Sequence, residues 1–361
     1  MVNNYLLPLK SDRLLDVLRG IAVLMVIMIH LGFMLYNMNS VSSSAVFLND
    51  LNYVARFGSA GPMLFFLISG FLLYSLYFKK YSSKTFFKRR LARIYPMWVL
   101  FTLVSIFSAY TTGFYGDGVK LDSIQNIATV LLFLVFLGIL VPSTWDFIPG
   151  GWSIQGEVIN YILFPFIKKY SIYLVLSLQI LYASIVLVVE NINLGSEYEG
   201  YVRSLEIVST ATFWFILGVL VSKIALKDIK VNAIFFAYVV IFVAGNIILQ
   251  APNNISQFQS SVAIIVAILL GLLIENKFNI IAKMLASIGM YSYGIYLIHF
   301  IFLSAAGAIS TKIFSQIETS NLFITFGISL AIFCIVTTLS FYTAKIVYKH
   351  YELPFINMGK R

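Results

Sequence analysis

Arg19 and His30 lie eleven residues apart inside the first apolar stretch of the sequence, Arg13–Leu35. At about 100° per residue this spacing is three helical turns plus roughly 20°, so both side chains fall on one face, roughly 16 Å apart along the axis. Asp16 falls near the same stripe. An ionisable group inside an apolar span is unfavourable unless it faces protein or water and has a partner. The pair therefore reads as a site built from an imidazole, which exchanges protons near neutral pH, and a fixed positive charge. A histidine hydrogen-bonded to a neighbouring helix is the plainer alternative.

Three further groups carry chemistry. In Phe86–Trp98 (FFKRRLARIYPMW), Arg90 and Arg93 are three apart on one helical face, with Arg89 adjacent. Guanidinium groups so placed bind phosphate in a bidentate manner, which suits a phosphorylated cytosolic donor such as a coenzyme A thioester. A membrane-surface anchor or a lipid-headgroup contact explains the same cluster. In Gly150–Pro165 (GGWSIQGEVINYILFP), Glu157 follows Trp152 and Ser153 in a short apolar segment. Its carboxylate is suited to orient His30 or accept its proton, or else makes a structural hydrogen bond. In Ser287–Phe300, Tyr293, Tyr296 and His299 rise at three-residue spacing on one face, which offers His299 as a second site residue or as a packed core histidine. His350 reads as a solvated residue near the inner surface.

The elements that must hold these groups are membrane helices. Hydrophobic residues make up 60% of the 361 residues and charged residues only 11%, with a mean hydropathy of +0.90. That composition excludes an ordinary soluble domain. Apolar runs long enough to cross a bilayer recur along the chain, at about 15–37, 58–78, 94–112, 124–141, 154–167, 171–189, 205–222, 231–250, 259–275, 287–306 and 321–346. The net charge of +10 is spread over the segments between them, which fits the orientation rule for membrane proteins better than nucleic-acid binding. Cys334 is the single cysteine, so no intrachain disulfide, thiol–metal site or other metal site is expected. The first apolar stretch has no small-residue cleavage site and reads as a retained span.

All the basic clusters reach the cytoplasmic side only if one of the stretches between Arg93 and Lys168 fails to cross. The choice is 124–141, because Pro142, Pro149, Gly150 and Gly151 follow it and irregular backbone is tolerated at membrane depth where it lines a cavity. The expected fold is all-α: a polytopic membrane helix bundle of about 10 transmembrane helices plus one re-entrant or partly inserted helix. Both termini are then cytoplasmic, 79–93 and 223–230 face the cytosol, and 113–122 and 190–203 lie outside.

Six motifs in order resemble the acyltransferase-3 family of bacterial membrane acyltransferases. They are the Arg-x-Leu-Asp-type helix start with its histidine at Arg13–His30, Phe-Phe-x-Ile-Ser-Gly-Phe at Phe65–Phe71, and Arg-Arg-x-x-Arg-Ile-x-Pro at Arg89–Pro96. They continue with Trp-Ser-Ile-x-x-Glu at Trp152–Glu157, Ser-Tyr-x-x-Tyr-Leu-x-His at Ser292–His299, and Tyr-x-x-x-Glu-x-Pro at Tyr348–Pro354. The family pattern has an aromatic residue where this chain has Asn160. The resemblance spans nearly the whole sequence and implies one transmembrane acyltransferase domain over residues 1–361. Some relatives carry an extracellular hydrolase-like domain after the last span; none is expected here, so hand-over by the bundle itself or to a separate partner is expected.

The resemblance implies a catalytic His30, a donor-binding pair Arg90 and Arg93, and further site roles for Arg19 and Glu157. It implies an O-acyltransferase, most simply an O-acetyltransferase, in the bacterial inner membrane. The acyl group would pass from cytosolic acyl-CoA, a co-substrate and not a bound cofactor, to a hydroxyl of a surface or lipid-linked polysaccharide. His30 would be the general base, or in a variant the carrier of a covalent acyl group. Arg19 would steady donor or oxyanion, and Val23 and Val26 would line the path of the thioester. A secondary transporter is the alternative, since transporters also place ionisable residues and broken helices at mid-membrane; no inverted repeat is visible.

Overall fold

The computed structural model describes residues 12–38, 56–77, 82–112, 124–140, 150–169, 172–192, 198–225, 256–314 and 322–360. The elements among them are helical throughout: α1 (Asp12–Met38), a 3-10 turn (Arg56–Ser59), α2 (Ala60–Tyr77), α3 (Ser83–Thr112), α4 (Ile124–Leu134), a 3-10 turn (Gly138–Leu140), α5 (Trp152–Lys169), α6 (Ile172–Asn191), α7 (Glu199–Ala225), α8 (Ser256–Lys277), α9 (Asn279–Met290), α10 (Ser292–Phe314), α11 (Leu322–Val347), a π-turn (Tyr348–Glu352) and α12 (Leu353–Lys360). Among the described residues, six helical stretches are long and apolar enough to cross a membrane: Arg13–Leu35, Phe57–Leu76, Ser83–Phe107, Glu199–Ile224, Ser292–Ser310 and Phe326–Gly359. The expected span 231–250 and the segment 113–122 lie outside the described residues.

Three expected boundaries move. The third span begins at Ser83 rather than near residue 94, so Arg89, Arg90 and Arg93 sit on a continuous 30-residue helix. The cause is local: the Ser82 hydroxyl accepts a hydrogen bond from the Thr85 backbone N–H at 3.3 Å, and Lys and Arg propagate a helix well. The expected span 287–306 is two helices, α9 and α10, broken at Tyr291. The expected stretch 124–141 ends its helix at Leu134, because Phe136 adopts a left-handed backbone at φ 64°. Eleven residues make about 16 Å of helix, too short for a hydrocarbon layer of roughly 30 Å.

The chain divides into two compact units. One comprises residues 9–65 and 252–353, the other 1–8, 66–251 and 354–361. In the first unit α1 packs on α9 at almost backbone contact. A Cβ on Gly20 would lie 2.2 Å from the Leu285 carbonyl oxygen, and one on Gly289 would lie 1.8 Å from the Asp16 carbonyl oxygen. Apolar lipid gives helices little hydrophobic reason to associate, so close approach at small residues supplies the dispersion contacts. Arg13 clips α1 to both α8 and α9 at one end: Nε lies 2.8 Å from both oxygens of Glu275 on α8, and Nη1 donates to Asn279 Oδ1 on α9 at 2.8 Å.

Gly289→Ala is expected to lower the stability of the purified protein by roughly 1–3 kcal/mol, because the added methyl forces two backbones apart. Gly327→Ala is the control. Nothing lies within 4 Å of its added Cβ, and alanine is the better helix former by about 1 kcal/mol. Thermal unfolding in detergent should separate the two; equal midpoints would contradict the packing.

The stretch of α1 between Arg19 and His30 is core. Val23 and Val26 are both fully buried, and a Cβ on Gly61 would lie 2.7 Å from Val26 Cγ2. The expected thioester path along this face is therefore filled by protein, and a tryptophan at either valine would overpack this core, at Val26 against α2, rather than plug a channel.

In the second unit α2 and α7 cross in the same way. A Cβ on Gly70 would lie 2.0 Å from the Phe215 carbonyl oxygen, and one on Gly218 would lie 2.0 Å from that of Leu67. The irregular end of α4 is satisfied by side chains, as a membrane interior requires. Trp98 Nε1 donates to the Phe133 carbonyl at 3.0 Å, and Gln155 Oε1 accepts from the Ile139 N–H at 2.6 Å. The rings of Phe133 and Phe136 stack on Trp98 at 4.6 and 5.1 Å.

Candidate active site

In the first unit, α1 and α10 bring two imidazoles together. His30 is partly exposed, and His299 is fully buried. His30 Nδ1 lies 3.1 Å from His299 Nε2. His299 Nδ1 lies 3.2 Å from the Ile295 carbonyl oxygen, one turn back on α10. Phe300 covers the pair, with its ring centroid 4.4 Å from His30 and 4.3 Å from His299. Tyr296 lies 5.9 Å from His299 and meets Phe65 edge-on at 6.3 Å. Tyr293, one turn earlier, is half-buried.

Asp16 and Arg19 pair with each other, Arg19 Nη1 donating to Asp16 Oδ1 at 2.7 Å. Their side chains keep 22% and 24% of their surface. Charge at this depth is thus partly neutralised within one turn of α1, and Gly289 presses against the Asp16 backbone from the other side.

In the second unit, Glu157 sits on α5 and accepts two hydrogen bonds on Oε1. One comes from the Ser69 hydroxyl at 3.0 Å, the other from the Tyr161 phenol. The Arg90 guanidinium lies over the Tyr161 ring, 5.4 Å from its centroid, at a distance that supports cation–π attraction. Arginine, tyrosine, carboxylate and serine therefore form one connected polar line through α3, α5 and α2. The crossing at Gly70 and Gly218 places Ser69, its chain neighbour. Arg89 and Arg93 are half-buried on the same helix as Arg90, and a Cβ on Gly359 would touch Ala92 Cβ at 2.5 Å, so α12 backs this segment.

Trp152 opens α5 half-buried, and the Ser153 hydroxyl donates to the Gly150 carbonyl at 3.2 Å. Gly150 itself has φ 76°, a backbone that glycine adopts without strain. Asn160 is fully buried one turn from Glu157, and neither amide atom has a hydrogen-bond partner among the described residues.

The nominated residues thus gather in two places: His30 with His299 and Tyr296 in one unit, Glu157 with Arg90 in the other. Two participants were missed. Tyr161 lies four residues after Glu157, the spacing at which helical side chains meet, and that signal was readable. Ser69 was hidden in an apolar run and became visible only through the α2–α5 contact. The Tyr348–Glu352 segment, read as a motif, forms a π-turn in which the Leu353 N–H reaches the Tyr348 carbonyl. Pro354, which lacks an N–H, follows at once, and Glu352 is buried.

The family described as an acyltransferase domain matches residues 12–344. The chain belongs to this family, the same one its six motifs resemble, and is a helical membrane acyltransferase. No curated protein and no solved structure matches it.

Proposed function

We propose that this acyltransferase is an O-acyltransferase of the bacterial inner membrane. It moves an acyl group, acetyl in the simplest case, from cytosolic acyl-CoA to a hydroxyl of a surface or lipid-linked polysaccharide. The observation that carries the reading is the imidazole pair His30–His299, held between two helices long enough to cross a membrane. Titratable side chains at such positions are retained for function.

The arginines Arg89, Arg90 and Arg93 hold the phosphates of the donor at the cytosolic end of α3, where the charge rule places them. His30 takes the proton from the acceptor hydroxyl as its oxygen attacks the thioester carbonyl. The C–O bond forms, the C–S bond breaks, and the imidazolium returns the proton to the departing thiolate. The products are the ester and free CoA. Arg19, preorganised by Asp16 and roughly 16 Å along α1 from His30, supplies fixed positive charge for the donor. Glu157, anchored by Ser69 and Tyr161, holds a fixed negative charge beside Arg90; Trp152 and Ser153 share its helix, and Tyr293 shares that of His299.

The test uses the full-length protein purified in detergent with radiolabelled acetyl-CoA and a surface glycan preparation. Acceptor-dependent release of free CoA, with label recovered in the glycan as an alkali-labile ester, is the expected result. A transporter would release no CoA under these conditions, and that outcome would defeat the proposal.

A further inference from the structure

We infer that His299 is a positioning residue that fixes the tautomer of His30, so that His30 Nε2 is the nitrogen that takes the proton. The inference rests on the reading of His30 as general base. The geometry comes from two contacts. A carbonyl oxygen only accepts hydrogen bonds, so the contact between His299 Nδ1 and Ile295 O requires the proton on His299 Nδ1. In a neutral imidazole one nitrogen donates and the other accepts. His299 Nε2 is then a bare lone pair, and it faces His30 Nδ1 at 3.1 Å. That contact is a hydrogen bond only if His30 Nδ1 carries its proton. The lone pair of His30 is thereby left on Nε2.

A free neutral imidazole has no such constraint, and the choice of tautomer is set by the partner of the other nitrogen. Here the partner is a second imidazole, anchored by its own helix backbone and shielded by Phe300. Full burial of His299 keeps it from rotating away or being replaced by water, whereas His30 keeps part of its surface exposed. When the acceptor hydroxyl gives its proton to Nε2, the resulting imidazolium donates from Nδ1 to the His299 lone pair. The bond already in place then strengthens, as charge-assisted hydrogen bonds do. His299 does the orienting that a carboxylate does in other histidine-based acyl-transfer sites, and it does so without adding a negative charge to the span.

The test is carried out on the full chain in detergent micelles with ring-labelled 15N-histidine. The exposed third histidine is removed by His350→Gln. Long-range nitrogen–proton correlations are expected to place the proton of both remaining histidines on Nδ1. In His299→Ala, His30 should shift toward the Nε2-protonated form, and kcat should fall about 10–100-fold, the range for removing an orienting partner of a functional histidine. The KM for acyl-CoA should stay put. His299→Gln places an amide oxygen near the former Nε2 and should recover most of kcat; His299→Asn is too short and should not.

A wild-type His30 protonated on Nε2 would overturn the inference, as would an unchanged kcat in His299→Ala. If His299→Ala does not fold, the wild-type tautomer and the Gln–Asn contrast still decide. Failure of the base reading itself looks different: His30→Gln would then keep its activity whatever the tautomer.

Discussion

Replacing His30 with alanine is expected to lower acyl transfer by roughly 10²- to 10⁴-fold, the span that a positioned general base contributes. The effect should fall on kcat, because the side chain acts on the acceptor proton in the transition state rather than on the nucleotide end of the donor. Expression and membrane insertion should persist. His30 is partly exposed, and the helix that carries it is held elsewhere, by the Gly20 and Gly289 contacts and by the Arg13–Glu275 clip. The loss of ring contact with His299 and Phe300 removes little buried surface from a helix with so many other anchors. Glycan ester content in a complemented deletion strain and turnover by the purified variant check the result together. Near-normal esterification would remove His30 from the mechanism.

Arg90→Ala and Arg93→Ala are expected to separate binding from chemistry. Removing one charged hydrogen bond to phosphate costs about 1.5–3 kcal/mol, which corresponds to a KM for acyl-CoA raised roughly 10- to 150-fold. Arg93→Ala should do this with kcat almost unchanged. Arg90→Ala should also lower kcat, because its guanidinium lies over the Tyr161 ring, whose phenol bonds Glu157. Losing it loosens the carboxylate as well as the donor. Lys88, exposed on the same helix, is the control; Lys88→Ala should stay within about twofold, since a solvated charge contributes little. Steady-state kinetics with acyl-CoA and acceptor varied in turn make the comparison. An equal rise in KM for both substrates would assign the arginines to anchoring.

Much of the site was legible because membrane chemistry makes polar residues conspicuous. Arg19, His30, Glu157 and His299 stand out against apolar neighbours, and each is a place where charge or titration must be compensated. Their partners were harder to read. His299 was expected as an independent site residue, and Glu157 as the group that orients the imidazole. The structure gives His30 a bond to His299, and gives Glu157 bonds to Ser69 and Tyr161. Which donor meets which acceptor depends on helix rotation and depth, and a shift of one residue turns a side chain by about 100°.

The sequence by itself determined the helical membrane class and the acyltransferase family, because apolar run length, charge placement and ordered motifs are local properties of the chain. It placed a break after residue 141, whereas the helix already ends at Leu134. Only the tertiary structure decided that Phe136 ends that helix and that Trp98 and Gln155 satisfy the broken backbone. Only it revealed that the α1 face between Arg19 and His30 is packed core, and that Gly20, Gly70, Gly218 and Gly289 set where helices meet. The reason is physical. In an apolar solvent every helix face looks alike to the lipid, so the choice of neighbour is made by close backbone approach and by hydrogen bonds between distant residues, and neither is written in any one segment.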